Sequence, residues 1–226
     1  MSRFEPAGVD GVIIYLGDSI SEEVSLKVGF YYKRLKGLNE PSIISIIPSY
    51  TSIYIRYDIL RYDYKRFCSF IKSKFLEFDK SQNDIGKRKR VVIPVYYDKS
   101  VGVDLERVAK INSIPIKEVI KLHSQKEYLV YAIGFLPGFA YLGTVEKKIA
   151  TKRLEHPRDM IPKGSVAIAD TQSAVYPKDS PGGWNILGRT FVEMFSKDFK
   201  SLVEMGDIVK FEPIEKDEFL RGGGVL

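Results

Sequence analysis

The hydrophobic and polar positions of the N-terminal part of the chain predict a small α/β unit. The apolar run GVIIYL predicts a strand, and SISE (residues 19–22) matches a capping box that would open a helix as far as about Leu38. Two β-rich runs, SIISII and TSIYIRY, surround a predicted turn at Pro48 and Ser49, and DYKRFCSFIKSKFLEF shows helical spacing. The predicted order is β-α-β-β-α, ending near Asp79.

Beyond a polar segment, the pattern changes to strands with two short helices. VVIPVYY and EYLVYAIGF predict strands, and VDLERVAKINSIPIKEVIKLHS predicts two helices, with Pro115 in the first turn of the second. From Phe135 onward, the strand-like runs GSVAIAD, QSAVYP, NILGRTFVEMF and GDIVKFEPI alternate with turns rich in Gly and Pro. The fold class predicted is therefore α+β, with a small α/β domain at residues 1–85 and a barrel-like domain at residues 86–226.

Composition fits a chain that is folded throughout. Apolar residues make up 44% of the 226 positions and charged residues 28%. The start of the chain lacks the pattern of a secretory signal, and no run of about 18 apolar residues occurs, so we expect a cytoplasmic protein without a membrane partner. The single cysteine, Cys68, excludes a disulfide within one chain and is expected to fill the core.

The chain carries a moderate positive charge. The excess of 35 Lys and Arg over 29 Asp and Glu gives +6, which attracts anions such as phosphate but is modest for a protein dedicated to nucleic acid. The basic cluster GKRKR (residues 86–90) is interpreted as a solvated linker that enters a strand. We therefore predict no nucleic-acid partner.

The segment IGFLPGFAYLG concentrates glycines and aromatic residues. Its spacing fits neither the GxGxxG pattern nor a Walker loop. Pro137 and Gly138 fit the central positions of a type II turn, where glycine supplies a positive φ. A structural turn is one interpretation, and the wall of a pocket, formed with Phe135, Phe139 and Tyr141, is the other.

A second segment, residues 156–190, places polar and aromatic side chains on and between successive strands. They are Arg158, Gln172, Tyr176, Ser180, Trp184 and Arg189. Arginine offers a planar fork for carboxylate or phosphate, and glutamine can donate and accept toward an amide. Each also has a structural alternative: surface ion pairs for the arginines, core packing for Trp184 and a backbone cap for Gln172. In SPGGWNILGRT, Gly182 and a positive φ at Gly183 are expected to bend the backbone so that Trp184 lines a pocket near Arg189.

Together, GFLPGFAYLG, PRDMIPKGSVAIADTQSAVYP and SPGGWNILGRT resemble the KipI family, whose members are also described as the B component of 5-oxoprolinase or as the first subunit of allophanate hydrolase. The resemblance spans nearly the whole chain. It implies an N-terminal α/β domain followed by a cyclophilin-like β-barrel, similar to part of the carboxyltransferase domain of urea carboxylase. Two positions depart from the family: Lys163 replaces a small residue and Asp170 a glycine, which adds a charge at each position.

The resemblance also implies partners and an activity. The partners are the KipA-type and LamB/YcsF-type components of 5-oxoprolinase, and the activity is ATP-dependent hydrolysis of a small cyclic amide, 5-oxo-L-proline, to L-glutamate. Such chemistry needs Mg²⁺ ligands and phosphate clamps. The sequence contains no Walker loop, GxSxG elbow or HExxH motif, so we expect one component of an enzyme that is inactive alone, has no metal ligands and uses ATP with Mg²⁺ at the level of the complex.

Two alternative functions remain open from the sequence. One is a KipI-like regulatory protein that binds and inhibits a histidine kinase, and the other is an amide-handling subunit related to allophanate or urea metabolism. Nothing in the sequence encodes a surface for docking a kinase. A neighbouring gene for a KipA-type protein would favour the enzyme.

The predicted site residues divide by role. The predicted catalytic residues are His123, Arg158, Gln172 and Arg189. The predicted substrate-binding residues are Phe135, Pro137, Gly138, Tyr141, Tyr176, Ser180, Gly182, Gly183 and Trp184. His123 lies near the end of its predicted helix, where the dipole favours protonation, so it is either an acid or orienting group or a helix-ending residue without a chemical role.

Overall fold

The computed structural model describes residues 2–80 and 88–226. The chain separates into two compact units, Met1–Lys87 and Arg88–Leu226. The predicted boundary between residues 85 and 86, and the first two residues of the basic cluster GKRKR, lie outside the described residues. Within the described chain, no helix combines the length and the apolar character needed to cross a membrane.

The first unit is an antiparallel sheet with two helices. Its elements are β1 (Arg3–Pro6), β2 (Gly11–Tyr15), α1 (Glu22–Gly37), β3 (Ile43–Ser49), β4 (Ser52–Tyr57) and α2 (Tyr64–Lys80). The strand order is β1-β2-β4-β3. The sequence did not predict β1, because its four residues, RFEP, have no apolar alternation. Pairing with β2, from Arg3 opposite Tyr15 to Pro6 opposite Val12, makes this segment a strand.

Two local predictions in this unit are wrong by two residues. Helix α1 is capped by Ser21, whose side chain accepts a hydrogen bond from the Val24 amide at 3.2 Å, and not by Ser19. The hairpin turn lies between Ser49 and Ser52, which pair with each other, so Pro48 is part of β3. An edge strand tolerates proline, which explains why the turn signal was misleading.

The core of the first unit is largely aromatic. Tyr57 stacks on Phe67 at 4.2 Å between ring centroids, and Tyr31 stacks on Phe75 at 4.0 Å. Cys68 is buried beside them in α2, where burial raises the pKa of its thiol. A buried, protonated thiol is inert, as expected of a core position.

The second unit contains a closed seven-stranded barrel. Its elements are β5 (Arg90–Tyr96), α3 (Leu105–Ile111), α4 (Ile116–Ser124), β6 (Glu127–Ile133), β7 (Ala140–Gly143), a 3₁₀ turn (Lys147–Ile149), β8 (Arg158–Ile161), β9 (Ser165–Ala169), β10 (Gln172–Val175), β11 (Ser180–Gly182), β12 (Asn185–Arg189), β13 (Ile208–Ile214) and α5 (Lys216–Arg221). The barrel order is β10-β7-β6-β13-β5-β12-β9, and β10 closes on β9. Strands β8 and β11 form a separate ribbon. Pro115 immediately precedes α4 rather than lying in its first turn.

Strand alternation divides the apolar residues of the barrel into two clusters. All seven barrel strands contribute to the larger one, which therefore fills the interior; Val166 and Ile168 are the contributions of β9. Their neighbours Ala167 and Ala169 face the opposite way and belong to a smaller cluster on the outer face. The β8–β11 ribbon adds Ile161 to this outer cluster.

Candidate functional site

Several of the predicted substrate-binding residues meet in the outer cluster. Phe139 lies edge-on to Tyr141, Tyr176 and Trp184, at centroid distances of 4.9, 5.3 and 5.7 Å. Tyr176 is 1% exposed and Trp184 8% exposed, whereas Tyr141 is partly exposed. Trp184 and Tyr176 therefore fill a core, which was the structural alternative for Trp184, and Tyr141 lies at its rim.

The predicted turn at Pro137 and Gly138 is confirmed. The Phe139 amide donates to the Leu136 carbonyl at 3.0 Å, and Gly138 has a φ of +83°. A Cβ on Gly138 would lie 2.7 Å from the Cβ of Phe195, so only glycine fits there.

Phe135, at the start of this turn, holds an aromatic ring at the surface. It is 61% exposed, and its ring lies 5.4 Å from that of Phe139. Its φ of +69° is uncommon for a bulky residue and costs on the order of 1 kcal/mol or more. A strained and exposed aromatic residue at the rim of the outer cluster is suited to contact a ligand or a partner.

The two glycines before Trp184 do not have the backbone conformation that was predicted for them. Neither Gly182 nor Gly183 has a positive φ, so the expected bend at Gly183 is wrong. A Cβ on Gly182 would overlap the hydroxyl of Tyr176, whereas a Cβ on Gly183 would lie no closer than 3.4 Å to any atom of a non-adjacent residue. Gly182 therefore permits a close approach between the ribbon and the barrel. Ser180, at the start of β11, is buried, and its hydroxyl has no partner among the described residues.

Arg158 is held by an internal ion pair. Its Nη2 donates to Oδ1 of Asp104 at 2.8 Å, and the Ile186 amide donates to Oδ2 of the same carboxylate at 2.8 Å. Asp104 is only 3% exposed. Nη1 of Arg158 is buried without a partner in the part of the chain that the structure describes. The arginine thus ties the ribbon to β12, and only part of its guanidinium remains for anion recognition.

His123 lies in the barrel interior. Its Nδ1 is 2.7 Å from the Tyr97 hydroxyl, its Nε2 is 2.8 Å from the Ser173 hydroxyl, and the ring stacks on Phe211. Since Ser173 donates to the Ala167 carbonyl at 3.2 Å, it accepts from Nε2–H, and Nδ1 accepts from the tyrosine.

The expectation that the helix end favours protonation of His123 is wrong. The side chain is fully buried, and burial lowers its pKa to about 3. Desolvation penalises the cation more strongly than the helix dipole favours it. A neutral histidine enclosed in the core cannot act as an acid toward a ligand at the surface, so its role is structural.

Gln172 begins β10 opposite Gly143 and Ala169. The next residue, Ser173, points inward to His123, so alternation places Gln172 on the outer face. Gln172 therefore shares this face with the outer cluster and is partly exposed. At the preceding hairpin, Asp170 has a φ of +51°, so aspartate supplies the left-handed conformation where the family usually has glycine.

Arg189 does not share a pocket with Trp184. Arg189 lies five positions after Trp184, at the far end of β12, which corresponds to roughly 16 Å at about 3.3 Å per residue. Nη1 of Arg189 instead donates to the Val225 carbonyl at 2.8 Å. Arg189 and Lys163 line a separate cleft of ≈ 390 Å³, so the charge of Lys163 lies beside Arg189 rather than beside the outer cluster.

Comparisons of the sequence with known proteins identify a family and a close relative in length. Residues 2–203 match the family described as carboxyltransferase domain, subdomain C and D. The chain is 37% identical over 231 residues to the B component of 5-oxoprolinase from Bacillus subtilis (strain 168), an alignment that covers 96% of this chain and 95% of that protein.

Solved structures share the fold of this chain over nearly its whole length. TTHA0988 superposes with a TM-score of 0.80 at 32% identity, over 95% of this chain but only 40% of that chain. Urea carboxylase of Kluyveromyces lactis superposes with a TM-score of 0.74 over 97% of this chain and 22% of that chain. At 16% identity, this second likeness shows the fold alone.

Proposed function

The chain belongs to the family of the carboxyltransferase domain, subdomain C and D, and we propose that it is one component of a multi-component 5-oxoprolinase, which opens 5-oxo-L-proline to L-glutamate. The observation that carries this proposal is the 37% identity to the B component of 5-oxoprolinase over nearly the full length of both chains. One component of an enzyme implies others. We propose that they are of the KipA type and the LamB/YcsF type.

The outer face of the barrel is the surface that this chain would offer in such a complex. Phe135 presents an exposed ring, the partly exposed Tyr141 packs on the same Phe139 ring as Phe135, and Gln172 lies on the outer face of the barrel wall. A glutamine amide can donate to and accept from a backbone amide, and aromatic rings supply apolar contact area. This combination suits a contact with a partner protein.

The chemistry that ATP would supply in such a complex is transfer of its γ-phosphoryl group to the amide oxygen, with ADP as the leaving group, which would make the lactam a better electrophile. Residues 2–80 and 88–226 form no group of three or more His, Cys, Asp and Glu side chains that could hold a metal ion. We therefore derive no step through ATP on this chain and propose that the nucleotide acts at the level of the complex.

Reconstitution tests the proposed function. The purified chain should show no ATP hydrolysis that depends on 5-oxo-L-proline, and addition of the two partner proteins should restore it. Phe135→Ala should lower the activity of the complex about tenfold, the effect typical of truncating an aromatic contact. The control Leu60→Ala, at a side chain 94% exposed in the first unit, should leave it unchanged. Strong activity from the single chain, or none from the three together, would refute the proposal.

A further inference from the structure

We propose that the cleft beside Arg189 is a binding site for a carboxylate and that the chain's own segment at residues 222–225, called the closing segment, covers it. The cleft has a volume of ≈ 390 Å³, which is enough for a small metabolite. Its lining combines charged, apolar and glycine residues: Pro162, Lys163, Asp179, Arg189, Thr190, Phe191, Val192, Gly223, Gly224 and Val225.

Within residues 2–80 and 88–226, Arg189 has no anionic partner at hydrogen-bonding distance. Nη1 donates to the neutral carbonyl of Val225, while Nε is buried and has no partner among the described residues. Ser165 lies directly opposite Arg189 in the β9–β12 register, and its buried hydroxyl is likewise unpartnered in the described chain. Unpaired buried polar groups are costly, so the unpaired Nε of Arg189, a residue that lines the cleft, indicates a place built to receive another polar group; Ser165 does not itself line the cleft.

The charges around the cleft disfavour a ligand with more than one negative charge. Lys163 is paired with Glu193 at 3.0 Å, and Asp179 accepts from the Lys163 amide at 2.7 Å. The positive charges of Lys163 and Arg189 therefore equal the negative charges of Asp179 and Glu193 before any ligand binds. A carboxylate matches the planar fork of Arg189, whereas a phosphate dianion would meet stronger repulsion from Asp179.

Asp179 also selects the rest of the ligand. Its carboxylate is exposed and can accept a hydrogen bond from an N–H of the same molecule. The ligand class is therefore a small acid that carries a carboxylate together with an amide or ammonium N–H. Naming 5-oxo-L-proline as this ligand rests on the proposed function, whereas the carboxylate site itself does not.

The closing segment is folded back on α5, where the amides of Gly223 and Gly224 donate to the carbonyls of Leu220 and Phe219, so uncovering the cleft requires these contacts to loosen. Gly223 has a φ of +91°, a conformation that other residues resist, and Gly224 has no room for a Cβ because the Phe219 ring fills the space. Val225 is 71% exposed, and its carbonyl contacts the cleft by accepting the hydrogen bond from Arg189. An incoming carboxylate oxygen would take the place of this carbonyl oxygen.

Calorimetric titration of the full chain tests the site. Wild type should bind 5-oxo-L-proline. It should bind both pyrrolidin-2-one, which lacks the carboxylate, and inorganic phosphate at least about tenfold more weakly. Arg189→Gln should weaken 5-oxo-L-proline binding about thirtyfold or more, as expected when a buried charge partner is removed. Gly223→Val should tighten binding about tenfold, because a β-branched residue disfavours the positive φ of the closed segment. Leu220→Ala, at a side chain of α5 that is 43% exposed and does not line the cleft, is the control and should bind like wild type.

Three outcomes would overturn the proposal: equal binding by wild type and Arg189→Gln, preference for phosphate, or weaker binding by Gly223→Val than by Leu220→Ala. Arg189→Lys, which keeps the charge but loses the fork, gives a second test if Arg189→Gln fails to fold; it should bind about tenfold more weakly. Binding by the isolated chain does not depend on the reconstituted activity. An inactive complex with intact binding would refute the proposed function alone, and an active complex without binding at Arg189 would refute only the site.

Discussion

At the scale of single residues, His123 shows how burial changes the chemistry that a residue offers. Its ring is fully enclosed between Tyr97, Ser173 and Phe211, and both nitrogens are satisfied in the neutral form. Protonation would add a charge in the barrel interior and would leave Nδ1–H facing the hydroxyl that now donates to it. The histidine therefore specifies the packing of α4 against the barrel, provided that it stays neutral.

This arrangement predicts a loss of stability in acid. The pKa of His123 is about 3 in the folded chain and ordinarily about 6.5, so the unfolded chain binds the proton more tightly. The stabilisation is present above about pH 6.5 and is lost as the pH falls toward 3, at up to about 1.4 kcal/mol per pH unit. Urea unfolding of His123→Gln should show lower stability than wild type at pH 7 but a smaller decrease between pH 6.5 and 4. The exposed His156→Gln is the control and should follow wild type; an equal decrease in all three proteins would contradict the assignment.

At the scale of elements, the β8–β11 ribbon depends on one buried carboxylate. The two strands have four and three residues, too few to be stable as a separate hairpin. Asp104 accepts from Arg158 on β8 and from the Ile186 amide on β12, and it therefore joins the ribbon to the barrel wall. Gly182 and Trp184 are positioned by this contact, because they lie at the end of β11 and just beyond it.

Replacing Asp104 should loosen the ribbon. Asp104→Asn keeps an acceptor for the Ile186 amide but leaves the guanidinium of Arg158 without its counter-charge, so we expect a loss of about 3 kcal/mol in the free energy of unfolding. Hydrogen exchange of the β8 and β11 amides should accelerate more than that of β9. Asp159→Asn, at an exposed position of β8, is the control and should change stability by about 0.5 kcal/mol or less. Equal effects of the two variants would show that Asp104 is not the anchor.

The sequence predicted the elements whose patterns are local and missed those that depend on distant contacts. Strands such as β9 and β4 have β-rich, apolar runs, so they were predicted. Strands β1, β8 and β11 have three or four residues each and exist through pairing, which no short pattern encodes. The partner of Arg158 lies 54 residues away, and an aromatic segment rich in glycine looks the same whether Trp184 fills a core or lines a pocket. Burial decides between these roles, and burial is a property of the fold.

At the scale of the whole molecule, each unit contains the parts of an independent domain. The first has a complete four-stranded sheet and a stacked aromatic core. The second has a barrel whose closure by β9 and β10 removes free sheet edges, together with a continuous interior cluster. Hydrophobic burial per residue rises with chain length, so the larger second unit should be the more stable of the two.

The final prediction is that residues 2–80 and residues 88–226 fold separately. Expressed as two proteins, each should unfold cooperatively in urea, and the second should show the larger m-value because it exposes more surface. A fragment of residues 88–206 is the matched control: it lacks β13, which pairs with both β5 and β6, so the barrel opens and the fragment should not unfold cooperatively. If residues 88–226 behave like this open fragment, or if residues 2–80 show no transition, the chain is one cooperative unit and the division into two domains is wrong.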